Sequence, residues 1–163
     1  EMSASLVGSE MCIRDRLKGT NICESYYHIE KSPIDKEGWL DTGDMGYLNE
    51  DSYLYIVDRK KDMINRGGEK IWCNDVENEI TSLKGVKESA LVGIPSEKYG
   101  EVAAAVVVLE KESKLTEEDI KQKLHDRIAK YMIPEKILFL EKIPKTPGLK
   151  TDKRAIRALF FPE

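Results

Sequence analysis

Two apolar segments, residues 39–48 and 53–59, joined by four polar residues, constrain the fold of this chain most. Both segments are rich in aromatic and branched side chains, which favour β-strands, and the connecting Asn-Glu-Asp-Ser residues are turn formers. The sequence therefore predicts a β-hairpin. A basic run (residues 59–61) and the pair Gly67-Gly68 follow it. A hairpin that ends in charge and then in glycine indicates a backbone that bends beside a charged ligand.

Downstream of this hairpin the apolar residues recur at helical spacing, and three helices are predicted. The first begins with a capping box made by Asn74 and Glu77 and ends at Gly85. Thr116 caps the second, and the third spans residues 152–160. The first two helices carry apolar stripes that predict their buried faces: Val76, Ile80 and Leu83, then Ile120, Leu124 and Ile128.

Three strands are predicted among these helices, at residues 86–94, 102–109 and 136–143. The pattern indicates an α+β fold: a small β-hairpin followed by a compact domain in which helices pack on a small three-stranded sheet. We place the boundary between these two parts after residue 60, where charged residues interrupt the apolar pattern.

Composition excludes several classes of function. The 163 residues carry a net charge of −4, which argues against a nucleic-acid-binding surface. Cys12, Cys23 and Cys73 have no paired spacing, and His28 and His125 are far apart, so no zinc site is predicted. Sparse cysteines favour a reducing, cytoplasmic compartment. No apolar run reaches the roughly 18–20 residues of a membrane span.

Residues 1–16 have neither helical nor strand periodicity. We expect this segment to be non-native or disordered, and we assign it no function.

Four blocks follow one another along the chain: GWLDTGDMG at 38–46, DRKKDMINRGGEKIWCNDVE at 58–77, KYMIP at 130–134 and IPKTPGLK at 143–150. Together they resemble the C-terminal part of the AMP-forming acyl-CoA synthetases and related adenylate-forming (AMP-binding) enzymes. The resemblance implies two half-reactions. A carboxylic acid attacks ATP to give acyl-AMP and pyrophosphate, and the thiol of CoA then displaces AMP. It also implies Mg²⁺ that accompanies ATP, with ligands outside this chain.

The resemblance implies a domain division as well. Residues 17–60 correspond to the C-terminal tail of the large AMP-binding domain, and residues 61–163 to the smaller C-terminal domain. The phosphate-binding loop and the acyl pocket of the family belong to the large N-terminal domain, which is missing here. We therefore expect a fragment that is inactive alone, and the identity of the acid stays open.

Two residues are implied to bind the nucleotide. The carboxylate of Asp44 can accept hydrogen bonds from both hydroxyls of a ribose, as its counterpart in the family does. The alternative is a turn aspartate that caps its own backbone. Arg59 matches an arginine that contacts the adenylate, and its rigid, charged fork suits phosphate oxygens. The alternative is a surface ion pair with Asp58 or Asp62.

Further residues are matched to the family in the later blocks. Lys61 matches the hinge about which the C-terminal domain rotates between half-reactions. Gly67, Gly68 and Glu69 match the loop that lines the pantetheine tunnel in the thioester step; the alternative is a plain turn between two strands. Lys150 matches the catalytic lysine, whose ammonium bridges the attacking carboxylate and the α-phosphate.

The residue before Lys150 departs from the family pattern, which has glycine where this chain has Leu149. Lys153 is the nearest substitute for Lys150. Two other functions stay open: an adenylation enzyme that loads the pantetheine arm of a carrier protein, and a non-catalytic interaction module of the same fold. The altered residue favours the module, whereas retention of Asp44, Arg59 and Lys150 together opposes it.

Overall fold

The computed structural model describes residues 3–7, 13–23, 32–51 and 53–161, and the chain divides into two units, Glu1–Lys61 and Asp62–Glu163. Cys12 and His28 lie outside the described residues.

The described residues of the first unit form a four-stranded antiparallel sheet in the order β1-β2-β3-β4. Its strands are β1 (Ser3–Val7), β2 (Ile13–Lys18), β3 (Leu40–Leu48) and β4 (Leu54–Arg59). The predicted hairpin is β3–β4, and each strand begins one residue later than expected. Asn49 closes the turn, because its N–H donates to the Tyr53 carbonyl at 3.0 Å and its side-chain Oδ1 accepts from the Tyr53 N–H at 2.8 Å.

β1 and the first part of β2 lie within residues 1–16, the segment expected to be non-native or disordered. β2 pairs with β3 through Arg14↔Met45 and Arg16↔Asp41, and β1 pairs with β2. A strand added to the edge of β3 is stabilised by backbone hydrogen bonds, which require little from the local side-chain pattern. The expectation that this segment is non-native or disordered stays a prediction.

The second unit is built on a five-stranded sheet, not the three-stranded sheet that the sequence predicted. The strand order is β6-β5-β8-β7, with β9 parallel to β8. The strands are β5 (Ile64–Arg66), β6 (Glu69–Ile71), β7 (Val86–Ser96), β8 (Gly100–Leu109) and β9 (Lys136–Phe139). The two additional strands, β5 and β6, are three residues each and flank the Gly67-Gly68 turn, so they are too short to give a period in the sequence.

Helices cover both faces of this sheet: α1 (Cys73–Thr81), α2 (Glu117–His125) and α3 (Lys153–Ala158). α1 and α2 share one cluster of buried residues with alternate residues of β7 and β8, and α3 shares a second cluster with the intervening residues. Because successive strand residues point to opposite faces, the two clusters lie on opposite sides of the sheet. The predicted stripes are confirmed: Val76, Ile80, Leu83, Ile120 and Leu124 are buried, and Ile128 packs against them.

The predicted caps are partly correct. Thr116 and Asp119 form a complete capping box at the start of α2. The expected box at α1 is wrong: Trp72 is the N-cap residue and makes no side-chain hydrogen bond to the helix within the described residues. The carboxylate of Glu77 accepts the Leu91 N–H of β7 at 2.7 Å instead. α1 ends at Thr81, before Gly85.

Candidate functional site

Asp44 and Arg59 face each other across the β3–β4 hairpin, as register partners of adjacent strands. Arg59 Nε lies 3.4 Å from Asp44 Oδ1, and the two side chains are 53% and 30% exposed. An ion pair this exposed contributes little to stability, so both groups are available to a ligand. Of the two surface partners considered from sequence, Asp58 is buried and accepts the Arg59 backbone N–H at 2.7 Å.

The Thr-Gly-Asp bend before Asp44 is fixed by the residues that precede it. The Gly43 N–H donates to Asp41 Oδ1 and the Asp44 N–H donates to Thr42 Oγ1, both at 3.1 Å. Gly43 has φ +77°, a conformation that favours glycine. Asp41 and Thr42 therefore cap this bend, and the Asp44 carboxylate pairs with Arg59 rather than with the bend.

A cleft of about 890 Å³ lies beside this hairpin within the first unit. Four basic and two acidic side chains contribute to its walls, so its charge favours an anionic ligand. Its lining residues are Arg16, Ser32, Pro33, Ile34, Asp35, Asp41, Thr42, Gly43, Arg59, Lys60 and Lys61.

Asp35 and Arg16 form a part of this cleft that sequence reasoning missed. Asp35 Oδ1 accepts the backbone N–H groups of Glu37 and Trp39, and Oδ2 accepts Arg16 Nη1 at 3.0 Å. The Trp39 N–H is the main cause that lowers the pKa of the Asp35 carboxyl, with smaller contributions from Glu37 and from the Arg16 charge. Residues 35–38 have only the polar composition of a turn, and Arg16 lies in the segment to which no function was assigned.

Lys61, the predicted hinge, is exposed at the end of the first unit. It lies in a short 3₁₀ turn, Lys60–Asp62, that follows β4 directly. The boundary between the two units falls after Lys61.

Gly67 and Gly68 form the turn between β5 and β6, with φ of +60° and +101°. The Gly67 N–H donates to the Tyr99 carbonyl at 2.8 Å, and the Gly68 N–H donates to Asn65 Oδ1 at 3.0 Å. Both glycines and Glu69 are exposed. The plain turn between two strands is thus the observed local structure, and its exposed backbone is free to approach a ligand.

Lys150 lies at the end of a narrow loop in the second unit. Lys145 and Thr151 form a β-bridge across this loop, and the Thr146 N–H donates to the Lys150 carbonyl at 2.8 Å. The Lys150 side chain is exposed. Lys153, the considered substitute, begins α3, is only 23% exposed, and places Nζ 3.7 Å from Glu77 Oε1. Lys150 is therefore the more accessible of the two ammonium groups.

The described residues contain no group of three or more His, Cys, Asp or Glu side chains placed to hold a metal ion. In the described part of the chain, no helix combines the length and the apolar character that crossing a membrane requires.

Comparisons with known proteins agree with the sequence blocks. Residues 75–150 match the family model described as the AMP-binding enzyme C-terminal domain. A 2-succinylbenzoate–CoA ligase of Bacillus cereus (strain Q1) is 39% identical over 145 residues, which are 88% of this chain and 30% of that protein. A long-chain-fatty-acid–CoA ligase, FadD13, of Mycobacterium tuberculosis is 38% identical over 146 residues, 88% of this chain and 29% of that protein.

Among solved structures, ATP-bound MatB from Rhodopseudomonas palustris matches with a TM-score of 0.90 and 29% identity, over 98% of this chain and 34% of that chain. The fold is thus that of the C-terminal part of an adenylate-forming enzyme. Residues 75–150 thus match the AMP-binding enzyme C-terminal domain family, and the two curated relatives above are acyl-CoA ligases. The chain spans about a third of the length of the relatives it matches.

Proposed function

We propose that this chain is the C-terminal part of an ATP-dependent, AMP-forming acyl-CoA synthetase. The enzyme would join a carboxylic acid to ATP, releasing pyrophosphate, and then transfer the acyl group from AMP to the thiol of CoA. The observation that carries the proposal is the cross-strand pairing of Asp44 with Arg59 at the border of a basic cleft, in a chain whose relatives are acyl-CoA ligases.

Asp44 and Arg59 would hold the nucleotide together. The Asp44 carboxylate is an acceptor only, so it can take hydrogen bonds from both ribose hydroxyls. Arg59 supplies donors in a fixed plane, which suits ribose or phosphate oxygens. Their 3.4 Å contact keeps each side chain in place before the ligand arrives. Exposure of the pair means that little free energy is lost when ligand contacts replace it.

Lys61 would serve as the pivot between the two half-reactions. A pivot must accept changed backbone dihedrals, and an exposed residue in a short 3₁₀ turn can do so without disturbing a buried core. Gly67, Gly68 and Glu69 would then line the path of the pantetheine arm, because glycine lets a ligand approach the backbone closely.

Lys150 would act in the first half-reaction. Its ammonium would lie between the carboxylate of the acid and the α-phosphate, lowering their mutual repulsion and stabilising the charge that develops in the transition state. Mg²⁺ would enter with ATP and balance its phosphate charge. Its ligands would come from the large N-terminal domain, which would also supply the acid pocket and most of the adenine site. The 163 residues alone would be inactive.

An acceptor other than CoA is a second candidate within the same chemistry. A carrier protein presents the same pantetheine thiol, and the exposed Gly67-Gly68 turn would accommodate either. A non-catalytic interaction module is the third candidate, favoured by Leu149 at the position before Lys150.

Binding of AMP to the full-length protein that carries this chain tests the nucleotide site. At an AMP concentration one hundred times Kd, binding stabilises the native protein by about 2.7 kcal/mol, which raises the unfolding midpoint. Asp44→Ala removes hydrogen bonds to a charged acceptor and is expected to weaken AMP binding by roughly ten-fold or more.

Asp51→Ala is the matched control, because Asp51 is an exposed aspartate of the same hairpin. It is expected to bind AMP as the unmodified protein does. If AMP does not raise the unfolding midpoint of the unmodified protein, the non-catalytic module is favoured. Equal AMP-dependent rises in Asp44→Ala and Asp51→Ala would show that Asp44 does not bind AMP.

A further inference from the structure

Contacts from two other elements hold the Gly67-Gly68 turn. Arg66 ends β5 directly before the turn, and its guanidinium carbon lies 4.0 Å from the centroid of the Tyr99 ring. Arg66 Nη2 also donates to Glu135 Oε1 at 3.1 Å. Tyr99 in turn accepts the Gly67 N–H through its backbone carbonyl at 2.8 Å. The turn is thus connected to the β7–β8 connection and to the residue before β9.

The Tyr99 ring packs closely against the turn as well as against Arg66. A Cβ atom at Gly67 would lie 3.3 Å from Tyr99 Cδ1, which is a tight contact. Lys98 Nζ lies 5.0 Å from the same ring. A hydrogen bond from Lys98, followed by the charge of Lys98, lowers the pKa of the Tyr99 hydroxyl, and Arg66 adds to this effect. Arg66 at the end of β5 and Lys98 in the β7–β8 turn therefore both help to hold the Tyr99 ring in place.

Arg66 suits this arrangement in a way that lysine would not. Its planar group can stack on an aromatic ring while one nitrogen pairs with a carboxylate, whereas an ammonium has no flat face. The Arg66 Nε is buried and has no hydrogen-bond partner among the described residues. Such an unpaired donor is unfavourable, so the stack and the Glu135 ion pair must outweigh it. The position of the Arg66 side chain is therefore set by the Tyr99 ring and the Glu135 carboxylate, although its Nε makes no hydrogen bond within the described residues.

The turn needs this support because both of its residues are glycines at positive φ. Glycine has wide conformational freedom, and a two-glycine turn with exposed backbone would sample many conformations without external contacts. In the described structure, its two N–H groups reach Tyr99 and Asn65 only.

We propose that Arg66, Tyr99 and Glu135 are positioning residues that hold the Gly67-Gly68 turn in the conformation used for the thioester step. This rests on the proposed role of Gly67–Glu69 in that step. The three residues act through the turn, and none of them needs to contact the reacting atoms. The same three side chains line a second cleft, of about 830 Å³, in the second unit.

Amide hydrogen exchange in the full-length protein tests the positioning directly and requires no activity. Arg66→Ala is expected to speed exchange in the peptide that spans β5, the turn and β6 by about ten-fold, the size of a lost cation–π contact with its ion pair. Arg66→Lys should speed it nearly as much, because it keeps the charge and loses the stack. Lys70→Ala, an exposed substitution in the same hairpin, is the control and should leave exchange unchanged. Unchanged exchange in both Arg66 variants would overturn the proposal.

The rates of the two half-reactions test whether this positioning matters for the thioester step. With acyl-AMP supplied, Arg66→Ala is expected to lower kcat for thioester formation by about ten-fold, again the size of the lost contact, while adenylate formation is unchanged. Tyr99→Phe retains the ring and the carbonyl and should retain the rate, whereas Tyr99→Ala should not. Equal loss in both half-reactions would indicate a general structural role and overturn the proposal. Failure of the unmodified protein to form any thioester would instead overturn the proposed function, and the exchange result would still judge the positioning.

Discussion

Leu149 has an unusual backbone conformation for its residue type. Its φ is +61°, the left-handed region, and its side chain is 83% exposed. The left-handed conformation destabilises an L-residue by about 1–2 kcal/mol. Because the Leu149 side chain is exposed, burial of apolar surface does not offset this cost. Hydrogen bonds from the Leu149 N–H to the Thr146 carbonyl and from the Thr146 N–H to the Lys150 carbonyl impose this conformation. The narrow loop that positions Lys150 therefore keeps Leu149 in an unfavourable backbone conformation.

Leu149→Gly should relieve this strain. The gain is about 1–2 kcal/mol less the roughly 0.5–1 kcal/mol that glycine loses through its freer unfolded chain, so the net effect is a small stabilisation. Thermal unfolding of the full-length protein measures it as a higher midpoint. Leu149→Ala keeps a Cβ at positive φ and is the matched control, which should show no such gain. A midpoint for Leu149→Gly at or below that of Leu149→Ala would contradict the strain.

At the level of single residues, the sequence indicated Asp44 and Arg59 separately but not their pairing. The turn sets the register Leu48↔Leu54, which would place Asp44 opposite Asp58 if it continued, and a register shift between Met45 and Gly46 brings Asp44 opposite Arg59 instead. The Arg16–Asp35 pair could not be predicted either. It depends on β2 lying beside β3, a contact between distant segments that local periodicity does not encode.

Glu77 links three elements of the second unit. It lies in α1, its Oε1 accepts the Leu91 N–H of β7 at 2.7 Å, and the same oxygen lies 3.7 Å from Lys153 Nζ at the start of α3. β7 is at one end of the described sheet, so its outer N–H groups have no neighbouring strand there. Glu77 satisfies one of them. The predicted capping box at Asn74 is not formed because Asn74 lies inside α1, whose N-cap residue is Trp72.

Glu77→Ala should destabilise the protein by about 1–3 kcal/mol, because it leaves the partly buried Leu91 N–H without its acceptor. Chemical denaturation, followed as the midpoint concentration, measures this loss. Glu79→Ala is the matched control: Glu79 is two residues away on α1 and pairs with Arg127 at 3.5 Å in an exposed contact. Its removal should cost less than about 1 kcal/mol. Equal losses of stability in Glu77→Ala and Glu79→Ala would show that the hydrogen bond from the Leu91 N–H contributes no more than an exposed ion pair.

Elements with a strong period were predicted from the sequence, and short ones were not. β7, β8, α1 and α2 are long enough to show apolar periodicity, and their positions were correct to within a few residues. β5 and β6 have three residues each and form because the Gly67-Gly68 turn brings them together and Arg66 pairs with Gly100 of β8. Such strands depend on tertiary pairing, which no short window of sequence reveals.

At the scale of the whole molecule, the residues proposed to act are distributed over two units. Asp44, Arg59 and Lys61 belong to the first, and the Gly67-Gly68 turn and Lys150 to the second. The blocks that carry these residues were recognisable from sequence because each combines glycine with charge in a fixed order. The acid that the enzyme would use could not be recognised from the sequence, because the chain spans about a third of the length of its relatives.

Separate measurement of the two half-reactions in the full-length protein tests the central claim most directly. Lys150→Ala should lower adenylate formation by roughly 10²–10³-fold, the usual effect of removing a group that stabilises transition-state charge. Thioester formation from supplied acyl-AMP should be unchanged. Lys142→Ala, at an exposed lysine of the same unit, should leave both steps intact. Survival of both half-reactions in Lys150→Ala, or equal loss of both, would contradict the role proposed for Lys150.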